Sequence, residues 1–224
     1  MQERAIPRSL TRAQEARRQR VVDAAMELGL EGGYEAVQMR DVAARAHVAM
    51  GTVYRYFSSK DHLLAATLLH WVEQLDLRLS QMPPRGRTPA ERVIEVLDRA
   101  LRSMGRQPRL VAAVFASLAS ADPMAIECQQ QMAQVMDQII SRAIGEPSPP
   151  DSDERSRVIG HVWYSALVGW VNGWSDLDRV HDELAVAVRL LLPEQAAGAG
   201  ATTVGATAGV ATTGAATGAA AARS

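Results

Sequence analysis

The chain has 224 residues, 47% apolar and 22% charged, which suits one large globular domain or two small ones. A formal net charge of −1 excludes a uniformly polybasic protein, so any affinity for a polyanion must come from locally concentrated charge. The single cysteine, Cys128, excludes an internal disulfide framework and fits a reducing, cytoplasmic setting.

The first ten residues lack the apolar run of a signal peptide. They read as a basic arm. Residues 1–20 carry Arg4, Arg8, Arg12, Arg17, Arg18 and Arg20 against Glu3 and Glu15, whereas residues 65–192 carry 13 arginines against 16 acids. Only the N-terminal end is therefore expected to meet a polyanion, although a merely solvated first helix gives the same count. Thr11 and Gln14 can form a capping box that starts a first helix, with Val22, Ala25, Met26 and Gly29 inward. Gly32-Gly33 stops it.

Residues 37–64 predict two short helices and a tight turn. The first runs from about Met39 to Ala46, His47-Val48-Ala49 makes the turn, and the second runs from about Met50 to Tyr56. This is the pattern of a helix-turn-helix, whose second helix fits the major groove of DNA. That helix is unusual in composition. Met50, Gly51, Thr52, Tyr54, Arg55 and Tyr56 leave only Val53, followed by Phe57, to pack inward. Gly51 weakens a helix by roughly 1 kcal/mol against Ala, which close approach of the backbone to a partner surface would justify. Hydroxyls of Thr52, Tyr54 and Tyr56 suit phosphate oxygens, and Arg55 suits a guanine edge or a phosphate. The plain alternative, an internal aromatic stripe, fits Val53 and Phe57 better than the two tyrosines. Lys60, the only lysine among 24 basic residues, follows Ser58 and Ser59 at the start of the next helix. A capped helix N-terminus with a lysine makes a phosphate site.

A long fourth helix, about Lys60 to Leu79, carries Leu64, Leu68, Trp71, Val72, Leu75 and Leu79 on one stripe and can reach into a second domain. Thr88-Pro89-Ala90-Glu91 starts a fifth helix to about Gly105, Pro108 opens a sixth to about Ala119, and Asp122-Pro123 a seventh to about Ile144. Residues 145–152 form a loop, the eighth helix covers about Asp153 to Gly173, and Asp176 caps a ninth ending at Leu192. Strand-like alternation is absent, so the fold class is all-α. The domains divide as an arm over 1–10, a DNA-binding unit over 11–59, a helical ligand-binding and dimerisation domain over 60–192, and an Ala/Gly/Thr tail over 193–224 expected to be disordered.

The larger domain shows no Gly-rich phosphate loop, no Cys/His cluster at metal spacing and no nucleophile elbow, so neither enzyme activity nor a cofactor or metal is expected. His161 and His181 read as lone structural histidines. The most apolar stretch, Val162–Trp174, is too short to cross a membrane. Trp71, Leu75, Met104, Phe115, Leu118, Met132, Met136, Trp163 and Trp170 are large and soft, and suit either an adaptable cavity for an apolar ligand or a bundle core. Ile159, Trp163, Ala166 and Trp170 on the eighth helix, and Leu177, Val180, Leu184 and Val188 on the ninth, make strips that suit either a four-helix interface with a second chain or a monomeric core.

With these residues in place, the run GGYEAVQMRDVAARAHVAMGTVYRYFSSKDHLL resembles the recognition segment of the TetR family of one-component transcriptional regulators. Within that family the similarity is to members that repress steroid and cholesterol catabolism in actinobacteria. The resemblance implies a homodimer on palindromic double-stranded DNA, released by an apolar effector such as an acyl-CoA or steroid-CoA thioester. Carried over by position, it implies phosphate contacts from Gln38, Thr52, Tyr54, Tyr56 and Lys60, and base contacts from Arg40, Met50, Gly51 and Arg55. Gln38 replaces the capping Thr of many members, so that cap should be weaker here. A drug-efflux regulator with a different ligand, and a helical lipid-binding protein without DNA function, are the competing expectations.

Overall fold

The computed structural model describes residues 11–146 and 151–193. The expected basic arm, and the tail beyond Pro193, lie outside them. Among the described residues there are nine helices: α1 (Arg12–Ala36), α2 (Met39–Arg45), α3 (Met50–Tyr56), α4 (Lys60–Gln81), α5 (Pro89–Gly105), α6 (Pro108–Ser117), α7 (Pro123–Ile144), α8 (Ser152–Val171) and α9 (Leu177–Leu191). There is no strand among them.

Local chemistry accounts for most ends. Thr11 accepts from the Gln14 backbone N–H while the Gln14 side chain returns to the Thr11 N–H. Thr88 and Glu91 repeat the device at α5, with Pro89 at the first helical position. Ser59, Asp122 and Asp176 cap α4, α7 and α9. Gly32 and Gly33 leave helical geometry inside the α1 span, Gly33 at φ 69°, so the expected stop is a break followed by one more turn. The α2–α3 turn holds His47 at φ 53°, a left-handed conformation that His enters more readily than most residues.

One apolar core runs through the described chain. In its N-terminal part Val21, Val22, Ala25, Val37, Val42, Val53 and Phe57 are buried, and Leu64 and Leu68 of α4 continue it. Helix α1 also lies on α6, where a Cβ at Gly29 would stand 2.7 Å from Leu110 Cδ1, so the close approach depends on that glycine. Two ties at opposite ends give the relation of α4 to α7. Asp122, at the start of α7, binds Ser58 and Ser59 at the start of α4. Arg142, near the end of α7, pairs with Asp76, near the end of α4. The two helices therefore run parallel. At the C-terminal end of α7, Arg92 of α5 donates to the carbonyls of Ala143 (2.7 Å) and Ile144, which the helix itself leaves unpaired.

Candidate DNA interface and effector cavity

The recognition surface is built on α3. Val53 and Phe57 are fully buried and fix the helix to α1 and α4. The opposite face is open: Tyr54 is 52% and Met50 38% exposed, Gly51 and Arg55 are exposed, and nothing lies within 4 Å of a Cβ built on Gly51. Gln38 and Arg40 are exposed beside it, at the start of α2. Gln38 is the N-cap residue of α2 but makes no side-chain cap bond; its amide donates instead to the Glu35 carbonyl at 2.9 Å.

Three of the named residues are less free than their sequence positions suggest. Thr52 is half-buried. Tyr56 is half-buried against the core, edge-on to Phe57, and its hydroxyl accepts from Arg55 Nη2 at 3.1 Å. Lys60 Nζ lies 3.6 Å from the centre of the Tyr34 ring, and the Tyr34 hydroxyl donates to Asp61 Oδ1 at 2.8 Å. Nothing in the sequence pattern singled out Tyr34. The bond to Asp61, then burial, pushes its pKa up to about 12, so the ring stays neutral beneath the ammonium.

A cavity of about 390 Å³ opens between α4, α5, α6, α7 and α8. Of the nine residues marked as ligand candidates, Trp71, Leu75, Met104, Phe115, Leu118, Met132, Met136 and Trp163 lie on its wall. Trp170 does not; it packs half-buried against the core near the end of α8. Sequence reasoning missed the polar wall: Arg78, Ser103, Asp137, Arg157, His161 and Tyr164. His161, expected to be structural, is exposed on that wall. Burial raises the Asp137 carboxyl pKa, opposed by the nearby Arg157 and His161. Because α4 and α7 are parallel, Leu68 and Met132 lie nearer the helix-turn-helix, and Arg78 and Asp137 lie farther from it. The cavity is thus apolar toward the DNA-binding end and charged away from it. His181, also expected to be lone, pairs with Asp98 and ties α9 to α5.

The proposed dimer strip requires correction. Ile159, Ala166, Val180, Leu184 and Val188 are at most 7% exposed and Leu177 is half-buried, all within the single chain's own core. They pack α8 and α9 against their own neighbours. The large apolar residues that these helices turn outward, away from the cavity, are Val158, Val186 and, 77% exposed, Leu190.

A helix-turn-helix joined by one long helix to a cavity-bearing helical body defines a one-component DNA-binding transcriptional regulator. The chain belongs to the TetR family. Residues 21–67 match "Bacterial regulatory proteins, tetR family", and residues 86–191 match "Tetracyclin repressor-like, C-terminal domain". It is 42% identical over 181 residues to the HTH-type transcriptional repressor KstR of Rhodococcus jostii (strain RHA1), covering 80% of this chain and 84% of that one. Among solved structures, a TetR transcriptional regulator from Rhodococcus sp. RHA1 aligns with a TM-score of 0.74 and 30% identity, over 81% of this chain and 98% of that one. FadR from Bacillus subtilis, solved in complex with stearoyl-CoA, shares the fold at a TM-score of 0.57 and 21% identity, over 78% and 97% of the two chains. No helix among the described residues is long and apolar enough to cross a membrane.

Proposed function

We propose that the chain is a homodimeric, effector-responsive repressor of steroid or lipid catabolism genes, released from its operator by a lipid thioester of coenzyme A. The observation that carries this reading is the polarity of the cavity. Its volume of about 390 Å³ suits the apolar body of one lipid. Arg78 and Arg157 at its far end suit the anionic head of a thioester, most of which would lie outside the cavity. Similarity to KstR supports the steroid branch, and the stearoyl-CoA held by FadR supports the thioester class.

In this reading α3 enters the major groove. Arg40, Met50, Gly51 and Arg55 face base edges, while Gln38, Thr52, Tyr54, Tyr56 and Lys60 hold phosphates. A second copy pairs through the outward faces of α8 and α9, bringing two recognition helices about 34–36 Å apart, one turn of the duplex. Effector binding changes that spacing, which makes the two sites thermodynamically coupled.

The test is fluorescence anisotropy on a palindromic fragment selected from random DNA by the protein itself, titrated with a steroid-acid CoA thioester, stearoyl-CoA and a cationic drug. Release by a CoA thioester supports the reading. Release by the drug alone favours an efflux regulator. Failure to select any DNA favours a lipid-binding protein. Leu190→Glu should shift the protein to monomer in size-exclusion chromatography with little change in melting temperature.

A further inference from the structure

Asp122 stands where the effector-binding body meets the exit of the recognition helix. Its Oδ1 accepts from the Met124 backbone N–H at 2.9 Å and caps α7. Its Oδ2 accepts from Ser58 Oγ at 2.8 Å and also from Ser59 Oγ. Phe57 is the C-cap of α3 and Ser59 the N-cap of α4, so with Phe57 these two serines make up the three-residue connection between those helices. The same connection is gripped from the other side. His62 Nδ1 accepts from the Ser58 backbone N–H at 3.1 Å, and the His62 ring meets Phe57 edge-on at 5.3 Å.

The far side of this contact leads to the cavity. Leu118, on the cavity wall, is the C-cap of α6, and the short segment after it ends at Asp122. The Asp122 backbone N–H donates to Ser120 Oγ at 3.3 Å, which makes the segment a braced link rather than a loose one. Two hydroxyls converging on one carboxylate oxygen give a charge-assisted contact. These bonds hold the Asp122 carboxyl pKa at about 2, so the acceptor is ionised throughout the neutral range.

We infer that Asp122 is a positioning residue: a latch, made with Ser58 and Ser59, that holds the recognition helix at one angle to the effector-binding body. Displacement of Leu118 by a bound effector moves the latch and with it α3. This second half rests on the effector reading given above; the first half does not. The latch touches no DNA in this reading, so it sets affinity through geometry rather than charge.

The test uses the full chain and two variants that keep their helix caps. Asp122→Ser retains an N-cap residue but cannot reach both serines. Ser58→Ala combined with Ser59→Gly removes both side-chain donors while Gly still serves as an N-cap residue for α4. The expected result for both is faster backbone hydrogen exchange over residues 50–58, operator binding weakened about five- to tenfold, and an unchanged salt slope. The ratio of operator dissociation constants with and without steroid-CoA thioester should also fall toward one. Unchanged exchange over 50–58 in the second variant would overturn the latch, whether or not the first variant folds. If the wild type answers to no thioester, the effector reading fails while exchange still judges the latch. A lower salt slope would instead make Asp122 or its serines part of the DNA surface and overturn the inference.

Discussion

Lys60 Nζ lies over the ring of Tyr34, 3.6 Å from its centre, and Tyr34 in turn donates its hydroxyl to Asp61, the next residue in the first turn of α4. A cation held this way is placed, not free to swing. Lys60→Ala should weaken binding to every operator sequence alike and reduce the slope of log affinity against log salt by about 0.9, the loss of one phosphate contact. Tyr34→Phe keeps the cation–π contact but loses the Asp61 bond. It should weaken binding less and leave the slope unchanged. An unaltered slope in Lys60→Ala would remove Lys60 from the phosphate-binding set.

Gly51 separates folding from recognition. Nothing lies within 4 Å of a Cβ there, so Gly51→Ala should stabilise α3. The gain is roughly 0.5–1 kcal/mol, seen as a higher melting temperature. Operator affinity should nevertheless fall, because the added methyl stands between the helix and the groove. If both stability and affinity rise together, Gly51 is not a point of close approach.

Gly160 offers the same separation at the cavity. It lies on the wall, with open space at its Cβ position. Gly160→Leu should improve helix propensity by about 0.8–1 kcal/mol and occupy ligand volume. We expect a higher melting temperature, intact operator binding, and loss of any response to thioester. Retained response in a titration calorimetry experiment would place the ligand elsewhere.

The junction also gives a pH dependence with a definite sign. Burial lowers the His62 pKa below its ordinary 6.5, with Arg18 acting in the same direction and Asp122 and Glu127 opposing. The unfolded chain therefore takes up the proton first, and stability declines as pH falls below about 6.5. Protonated Nδ1 would also face the Ser58 N–H donor-to-donor. A second decline begins near pH 3.8, where the unfolded form of Asp122 protonates while its folded form holds out to about 2. Melting temperatures of the wild type and His62→Gln between pH 7.5 and 5 check this. The variant should be flatter, and equal slopes would exclude His62 as the source.

Helix starts, the recognition helix and the break at Gly32-Gly33 were legible because their causes are local. Thr11 with Gln14, Thr88 with Glu91, and Asp122 with Met124 each act within three residues. The inward direction of Val53 and Phe57 followed from what the rest of α3 could not do. Eight of the nine large residues of the larger domain reached one cavity because they share helical faces that any packing would turn inward. Trp170 shares its heptad position with Trp163 but sits two turns nearer the end of α8, beyond the cavity.

Only tertiary structure decided the rest. The strips through Ile159 and Val188 had the same period whether they met their own chain or a second copy, and periodicity cannot tell those partners apart. Packing of α8 and α9 against their neighbours buried those strips and left Val158, Val186 and Leu190 outside. The charged end of the cavity joins Arg78, Asp137 and Arg157 across 79 positions of sequence, and the latch joins Ser58 to Asp122 across 64. Sequence alone determined that this is a helical, helix-turn-helix protein. Folding decided which side chains meet, because contacts between distant residues are set by how whole helices pack and not by any pattern within one of them.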